Sequence, residues 1–453
     1  MSSRTTLLKR AAATVTAAGV ALTGAVVLTT AAAPAEAAIK RVETPFAYQG
    51  SAYGTRVSLG DPNQGGLTSG PSAWSVLGCT AMAPTTHGNH LAKVGVADGI
   101  NIGAVDSVTS DYRKPKQKIY GSRSVNKVAD ITLGQKDGPR LRIKGVTTVA
   151  HAYNVKGKFR ATADIDLSGV DLLGPLPNGD NQPKELQQLL GAIDKGDDQL
   201  VEAVIEGAGS DGIKIPGLGT VKPAGSQRTV IGPRRSMAGA YGIRVILDNG
   251  SRVDIGRAWA KIESAQPAGV FTGNAYAVQA VVGNGVLGIG KTPFQPLPCT
   301  GTSGKWRTNA LAQPKSSQLD ASALKAETFG NPMRDGRAVA RARSAVADIV
   351  LGGGSLEIQG VVGQVNVFQN KRGQVVRRTT AGTRVGAIIA GGKTYEAPAP
   401  GQALEIPGVA TIRAGLRQNL GKRGLRVHAL QVKLLDGTGL VLNIGTARAK
   451  ILR

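Results

Sequence analysis

The sequence predicts an all-β protein of two tandem duplicated antiparallel β-sandwich or barrel-like units, with a short helical insertion in the first. Three observations predict it. Short landmarks recur in the same order at near-constant offsets, apolar and polar residues alternate with a period of two, and 62 Gly and 22 Pro punctuate the 453 residues. Aromatic residues make up 4%, so large core anchors are few. A hydrophobic fraction of 41% with 19% charged excludes a disordered chain. Beyond the N-terminus the apolar runs are too interrupted for a membrane protein.

Residues 1–37 read as a secretory signal peptide. Arg4, Lys9 and Arg10 supply the positive start, Ala11 to Ala33 is uncharged, and Ala35-Glu36-Ala37 is an A-x-A cleavage site. The mature chain is expected to begin at Ala38. The alternative, an uncleaved anchor, is disfavoured because the stretch is rich in alanine rather than leucine. No later stretch is apolar enough to cross a bilayer, and Ala447 to Arg453 carries no hydrophobic tail. Leu297-Pro298-Cys299-Thr300-Gly301 spells the sortase pattern L-P-x-T-G, but mid-chain and without the hydrophobic stretch and basic tail that sorting needs. The expectation is an extracellular or loosely wall-associated protein with no integral membrane segment after signal removal.

Five landmarks define the units. Gly50-Ser51-Ala52-Tyr53 recurs as Gly273-Asn274-Ala275-Tyr276, Cys79-Thr80 as Cys299-Thr300, and Val128-Ala129-Asp130-Ile131 as Val346-Ala347-Asp348-Ile349, at offsets of 223, 220 and 218. Ile215-Pro216-Gly217 recurs as Ile406-Pro407-Gly408, and Ile255 to Ile262 as Ile444 to Ile451, at offsets of 191 and 189. The units are therefore 38–266 and 267–453. The fall in offset from 218 to 191 is an insertion of 27 residues in the first unit, within Leu173 to Ile213. Asn181-Gln182-Pro183-Lys184-Glu185 reads as a helix start, followed by Leu186, Leu189, Leu190 and Ile193 at helical spacing. A second amphipathic run covers Leu200 to Ile205. Residues 180–214 hold eight acids and three bases, an acidic excursion from a basic body.

Elsewhere the period is that of strands. Leu141, Ile143, Val149, Tyr153 and Val155 fall on one parity against Arg140, Arg142 and Lys144 on the other. Arg426 to Leu435 and Leu440 to Ile451 flank Asp436-Gly437-Thr438-Gly439 as a hairpin, and Arg244 to Leu247 and Arg252 to Ile262 repeat it around Asp248-Asn249-Gly250-Ser251.

Cys79 and Cys299 are the only cysteines and sit at equivalent positions of the two units in a chain bound for an oxidising space. An intramolecular disulfide is expected. It requires both residues to lie beside the axis relating the units, with the Cys-Thr segments at the centre of the contact. The alternative is that each cysteine is a small apolar core residue of its own unit.

The landmarks resemble those of the choice-of-anchor P family, secreted or surface proteins of high-GC Gram-positive bacteria. The likeness lies in Gly50 to Gly54, Leu77-Gly78-Cys79-Thr80, Leu297-Pro298-Cys299, the Val-Ala-Asp-Ile strands and Pro216 to Val221. It spans nearly the whole mature chain through short structural motifs. The resemblance implies domains carried to the surface by varied C-terminal anchors, with no assigned activity. This chain departs in its helical insertion and in lacking such an anchor.

The chain carries 55 basic and 30 acidic residues, a net charge of +25. From residue 267 onward 24 basic residues face 8 acidic ones, so the second unit holds most of the excess. Such a field concentrates polyanions: wall polymers, acidic lipids or released nucleic acid. Sparse aromatic interleaving weakens a stacking mode for single-stranded nucleic acid.

Four motifs invite a chemical reading. Gly285 to Thr292 matches G-x4-G-K-[ST], but Pro293, Pro296 and Pro298 forbid the helix a phosphate cradle opens, so no nucleotide is expected. Ser124-Val125-Asn126-Lys127 matches S-x-x-K without the companion Lys-Thr-Gly. His87 and His90 lack further zinc ligands, and Asp164 and Asp166 alternate as on any exposed strand face. No cofactor, metal site or catalytic constellation is assembled. The expected function is a non-enzymatic adhesive, structural or binding module, directed at anionic envelope polymers. The alternative is an extracellular hydrolase of wall or matrix polymer, with the helices of 180–212 as a lid.

Overall fold

Period-two alternation builds the strands. Ser75–Ala83 buries Ser75, Leu77, Cys79, Ala81 and Ala83 and turns Val76 and Gly78 to solvent. The computed structural model describes residues 41–452 except 60–66, 70, 93, 98, 135–136, 175–182, 226, 267, 282–286, 289–290, 312–318, 436 and 438. The signal-peptide reading lies outside them, as do Gly285, Val286, Ile289 and Gly290 of the glycine-rich motif.

The chain is all-β, in open antiparallel sheets that pack as sandwiches. In the first half, one sheet runs Ile213–Ile215, Gly219–Pro223, Arg235–Leu247, Arg252–Ser264, Val42–Leu59, with Ser75–Ala83 beyond. The facing sheet runs Lys158–Leu167, Arg140–Val155, Ile119–Leu133, Val105–Lys114, Thr85–Leu91. In the second half, one sheet runs Ala403–Ile406, Ala410–Asn419, Gly424–Leu434, Val441–Leu452, Val270–Val281, Thr292–Leu297. Its facing sheet runs Arg307–Leu311, Leu319–Pro332, Ala338–Leu351, Leu356–Gln369, Ile388–Ala390. In each half the opening strand pairs antiparallel with the closing one. Both expected hairpins are present, as Arg235–Leu247 with Arg252–Ser264 and Gly424–Leu434 with Val441–Leu452.

Each sandwich has an aliphatic end and an alanine-rich end. Ile131, Leu133, Leu141 and Ile143 pack on Val245, Val253 and Ile255 at one end of the first half. Ala150, Ala152, Ala238, Ala240, Ala258 and Ala260 pack with Tyr48 and Phe159 at the other. The inserted helices α1 (Lys184–Asp194) and α2 (Asp198–Gly207) close the aliphatic end. Leu186, Leu189, Ala192 and Ile205 are buried in that core, with Leu190 and Ile193 against it. Pro183 stands at the N-cap of α1, and the Asp197 carboxylate caps α2 by accepting from the Leu200 N–H at 3.0 Å.

The strand parity read from sequence is corrected. In Arg140–Val155, Leu141 and Ile143 are buried on one parity, but beyond Gly145 burial passes to Val146, Thr148, Ala150, Ala152 and Asn154. Val149, Tyr153 and Val155 therefore face outward. The same skip occurs on its neighbour, where Val128 and Ile131 are buried and Ala129 and Asp130 between them are exposed. Pairing continues in register across the skip because both strands make it at one level. Gly256, at φ +72°, makes it in the facing sheet.

Cys79 and Cys299 form a disulfide with Cα atoms 5.4 Å apart, closing a separation of 220 residues. They lie in one apolar cluster with Ala47 and Ala81 of the first half and Val270 of the second. This overturns the alternative of one cysteine in each unit's own core. The unfolded, unreduced protein should show no titratable thiol. Replacing both cysteines with serine should lower stability by up to about 5 kcal/mol through the loop entropy regained on unfolding, measurable in urea.

Asp111 is 1% exposed; its Oδ1 accepts from the Thr85 N–H at 2.7 Å, while Oδ2 has no partner. Burial pushes its pKa up to about 7 from an ordinary 3.8, against the lowering effect of the Thr85 hydrogen bonds and Arg41. The folded state then holds a proton that the unfolded chain releases, so this group's contribution is present at pH 3.8 and below and is lost as pH rises through about 7. Asp111→Asn should flatten the urea-unfolding profile across that window. An unchanged slope would assign the pH dependence to other groups.

Candidate functional site

Strand alternation on the sheet that opens with Val270–Val281 turns a cluster of cations outward. Arg426 and His428 project from Gly424–Leu434, and Arg448 and Lys450 from Val441–Leu452, all between buried Leu425, Val427, Ala447, Ala449 and Ile451. Register sets their neighbours. Asn274, Arg448 and Arg426 form one cross-strand row, and Tyr276, Thr446 and His428 the next. Arg426 and Arg448 thus stand directly opposite each other, a like-charge pairing that opposes sheet formation. Lys291, just before Thr292–Leu297, brings a fifth basic group, its ammonium 5.2 Å from the Tyr276 ring centroid and 5.9 Å from that of Phe294.

The electrostatics record the crowding. Burial and then Arg426 and Lys291 lower the His428 pKa to about 4, so its imidazole is neutral near pH 7. Burial, then Arg426 and Arg448, depress Lys291; burial and Arg426 depress Arg448; burial, Arg448 and Arg423 depress Lys450. The hydrogen bonds do not relieve it. Arg426 donates to Gln418 Oε1 at 3.1 Å and His428 Nδ1 meets Thr446 Oγ1 at 2.8 Å, while Arg448 Nε is buried with no partner. Among the described residues no carboxylate pairs with Lys291, Arg426, Arg448 or Lys450. In the first half Tyr53, Arg257 and Tyr241 form a cross-strand row, and the Arg257 guanidinium lies 5.6 Å and 5.2 Å from the two ring centroids. There one cation lies between two phenols; on the second-half face Lys291 lies over Tyr276 and Phe294 beside two further arginines.

The motifs singled out in the sequence lie elsewhere. Ser124 is buried and donates to the Trp259 carbonyl at 2.7 Å, whereas Lys127 is exposed on the opposite face of its strand, so S-x-x-K is not a nucleophile and base in contact. Asp164 and Asp166 are exposed along one strand. His90 meets Asp106 at 2.5 Å on the surface, and no cluster of three or more metal-ligating side chains occurs among the described residues. Cys299, within the L-P-x-T-G pattern, is committed to the disulfide. Of the P-loop-like stretch, Lys291 alone joins the cationic face. That face was legible only as the alternations Arg426-Val427-His428 and Arg448-Ala449-Lys450.

The sequence matches no protein family and no curated protein. Among solved structures it is similar, at 8% identity and a TM-score of 0.14, to the alcaligin outer membrane receptor FauA of Bordetella pertussis, over 91% of this chain and 76% of that one. It is similar at 7% identity and a TM-score of 0.10 to the transport unit of the autotransporter AIDA-I of Escherichia coli, over 91% of each chain. Among the described residues no helix is long and apolar enough to cross a membrane.

If the cations of this face act together, Arg426→Gln should raise the pKa of His428 above its value of about 4, followed by NMR titration of the ring. A pKa that stays in place would mean that burial alone sets it.

Proposed function

We propose that the chain is an exported, surface- or wall-associated binding protein, built of two copies of one sandwich unit and related to the choice-of-anchor P proteins, that holds an anionic envelope polymer on the cationic face of its second half. It acts by adhesion and not by catalysis. The observation that carries this reading is the Arg426–Arg448 row, two guanidinium groups directly opposite each other with no carboxylate partner among the described residues. A polymer phosphate or carboxylate supplies the counter-charge that this row lacks, through charge-assisted hydrogen bonds. Net charge concurs, since 24 basic residues face 8 acidic ones from residue 267 onward. Export follows from the features of residues 1–37.

The full mature chain should bind wall teichoic acid with an affinity that falls as salt rises. Arg426→Gln with Arg448→Gln should weaken that binding about tenfold or more at low salt, as expected for lost charge-assisted hydrogen bonds. Lys158→Gln with Arg160→Gln, an exposed basic pair of the first half, should change it little. Equal loss from the two pairs would reduce the interaction to overall charge and remove the assigned face. A mature chain that begins at Ala38 in the culture medium supports export; a chain confined to the cytosol overturns it.

A further inference from the structure

The first half carries a second outer face of different chemistry. On the sheet of Arg140–Val155, the skip at Gly145 turns His151 and Tyr153 outward, where their rings stack with centroids 4.4 Å apart and 19° between planes. Tyr112 reaches across from the neighbouring strand but one. Its path crosses Gly121, where a Cβ would fall 2.5 Å from the Tyr112 ring, so glycine is what lets the phenol lie flat over the sheet. The Tyr112 hydroxyl meets His151 Nε2 at 2.7 Å. Burial pushes the Tyr112 pKa up to about 12 and, with Arg123, lowers that of His151 to about 4. The phenol therefore donates, His151 Nε2 accepts, and the remaining ring N–H of a neutral imidazole is a donor.

These rings wall a groove of about 930 Å³ with Ile119, Val149 and Val155 on its floor. Its rim is polar and carries both signs of charge, with Lys114, Arg123 and Asp164, while Ser110, Arg123, His151 and Thr162 form one cross-strand row. A polyanion face has no use for Asp164. The corresponding place in the second half sharpens the point. Arg341 stands opposite Asn366 as Arg123 stands opposite His151, but its guanidinium lies 5.5 Å and 5.8 Å from the Phe329 and Phe368 centroids. Arg377 covers the Phe368 ring at 4.1 Å. In the second half the aromatic faces are filled by the chain's own arginines; in the first, Arg123 is exposed and the groove is open.

We propose that this groove binds a pyranose unit of an uncharged polysaccharide, its C–H face on the aromatic wall of Tyr112, His151 and Tyr153 and its hydroxyls on Arg123 and Asp164. A sugar presents an apolar ring face and a rim of paired hydroxyls, each able to donate and accept. A carboxylate and a guanidinium lining one groove match such a rim in both roles. The groove's volume lies within the range of small-molecule sites.

The test is affinity electrophoresis of the full mature chain through gels holding soluble mannan, arabinogalactan, starch or glycol chitin, one at a time. At least one should retard the protein, with little change between low and high salt. Tyr153→Ala and Arg123→Ala should each lower that retardation about tenfold while leaving the melting temperature and teichoic acid binding in place. Addition of the retarding glycan should shift the His151 ring resonances. Retardation by none of the four overturns the proposal, as does retardation that survives both variants or that disappears with Arg426→Gln and Arg448→Gln. That last outcome would assign the glycan to the cationic face, whose own test is separate.

Discussion

Each outer face depends on a place where side-chain alternation along the strands skips a residue. In the second half a Cβ on Gly363 would fall 1.7 Å from the Gly445 carbonyl oxygen, so the two backbones touch there. Gly445 has φ +65°, a conformation an L side chain adopts only with strain. Up to this point Leu442 and Ile444 face the core; past it Ala447, Ala449 and Ile451 do. Without the skip, Arg448 and Lys450 would point into an alanine-rich core, at a desolvation cost no fold of this stability tolerates. The skip at Gly145 likewise puts His151 and Tyr153 outside.

The two halves carry different chemistry on their cross-strand rows of tyrosine. Where the first half places Arg257 between Tyr53 and Tyr241, the second has Thr446 between Tyr276 and His428, and the vacated neighbourhood is crowded by Arg426, Arg448 and Lys291. A tyrosine pair shelters one cation well. Repulsion among like charges this close is unfavourable to folding, and in the proposed reading a bound polyanion relieves it.

How much of this was legible follows from the range of each signal. The Val-Ala-Asp-Ile and Ile-Gly landmarks were readable because the skip demands them locally: Val128 and Ile131, or Val346 and Ile349, point inward around two outward residues. The mechanism behind them was not readable, and a uniform two-residue period misplaced Val149, Tyr153 and Val155. Helix spacing in Leu186 to Ile193 survived because the helices pack as the pattern requires. The cationic face escaped notice for a different reason. Its row of Asn274, Arg448 and Arg426 joins residues from distant parts of the chain, and cross-strand register leaves no mark in linear order. Lys291, at the end of the P-loop-like match, has aromatic and cationic surroundings, in keeping with the expectation that the match opens no phosphate cradle.

The disulfide joins these faces to one body. Cys79 and Cys299 lie with Ala47, Ala81 and Val270 in a small apolar cluster, an interface built of short side chains whose burial alone contributes little. A covalent link there, from the strand Ser75–Ala83 to the turn that follows Thr292–Leu297, ties the two halves together. The two faces proposed to bind differ in kind: charge would make one follow salt, while ring stacking would leave the other nearly indifferent to it. In the proposed reading, a chain of this build grips two chemically distinct polymers at once, and tension between them is borne by the sheet hydrogen bonds and the disulfide, with no long linker to yield first. The second attachment then becomes intramolecular once the first has formed, so modest affinity at each face suffices for firm adhesion.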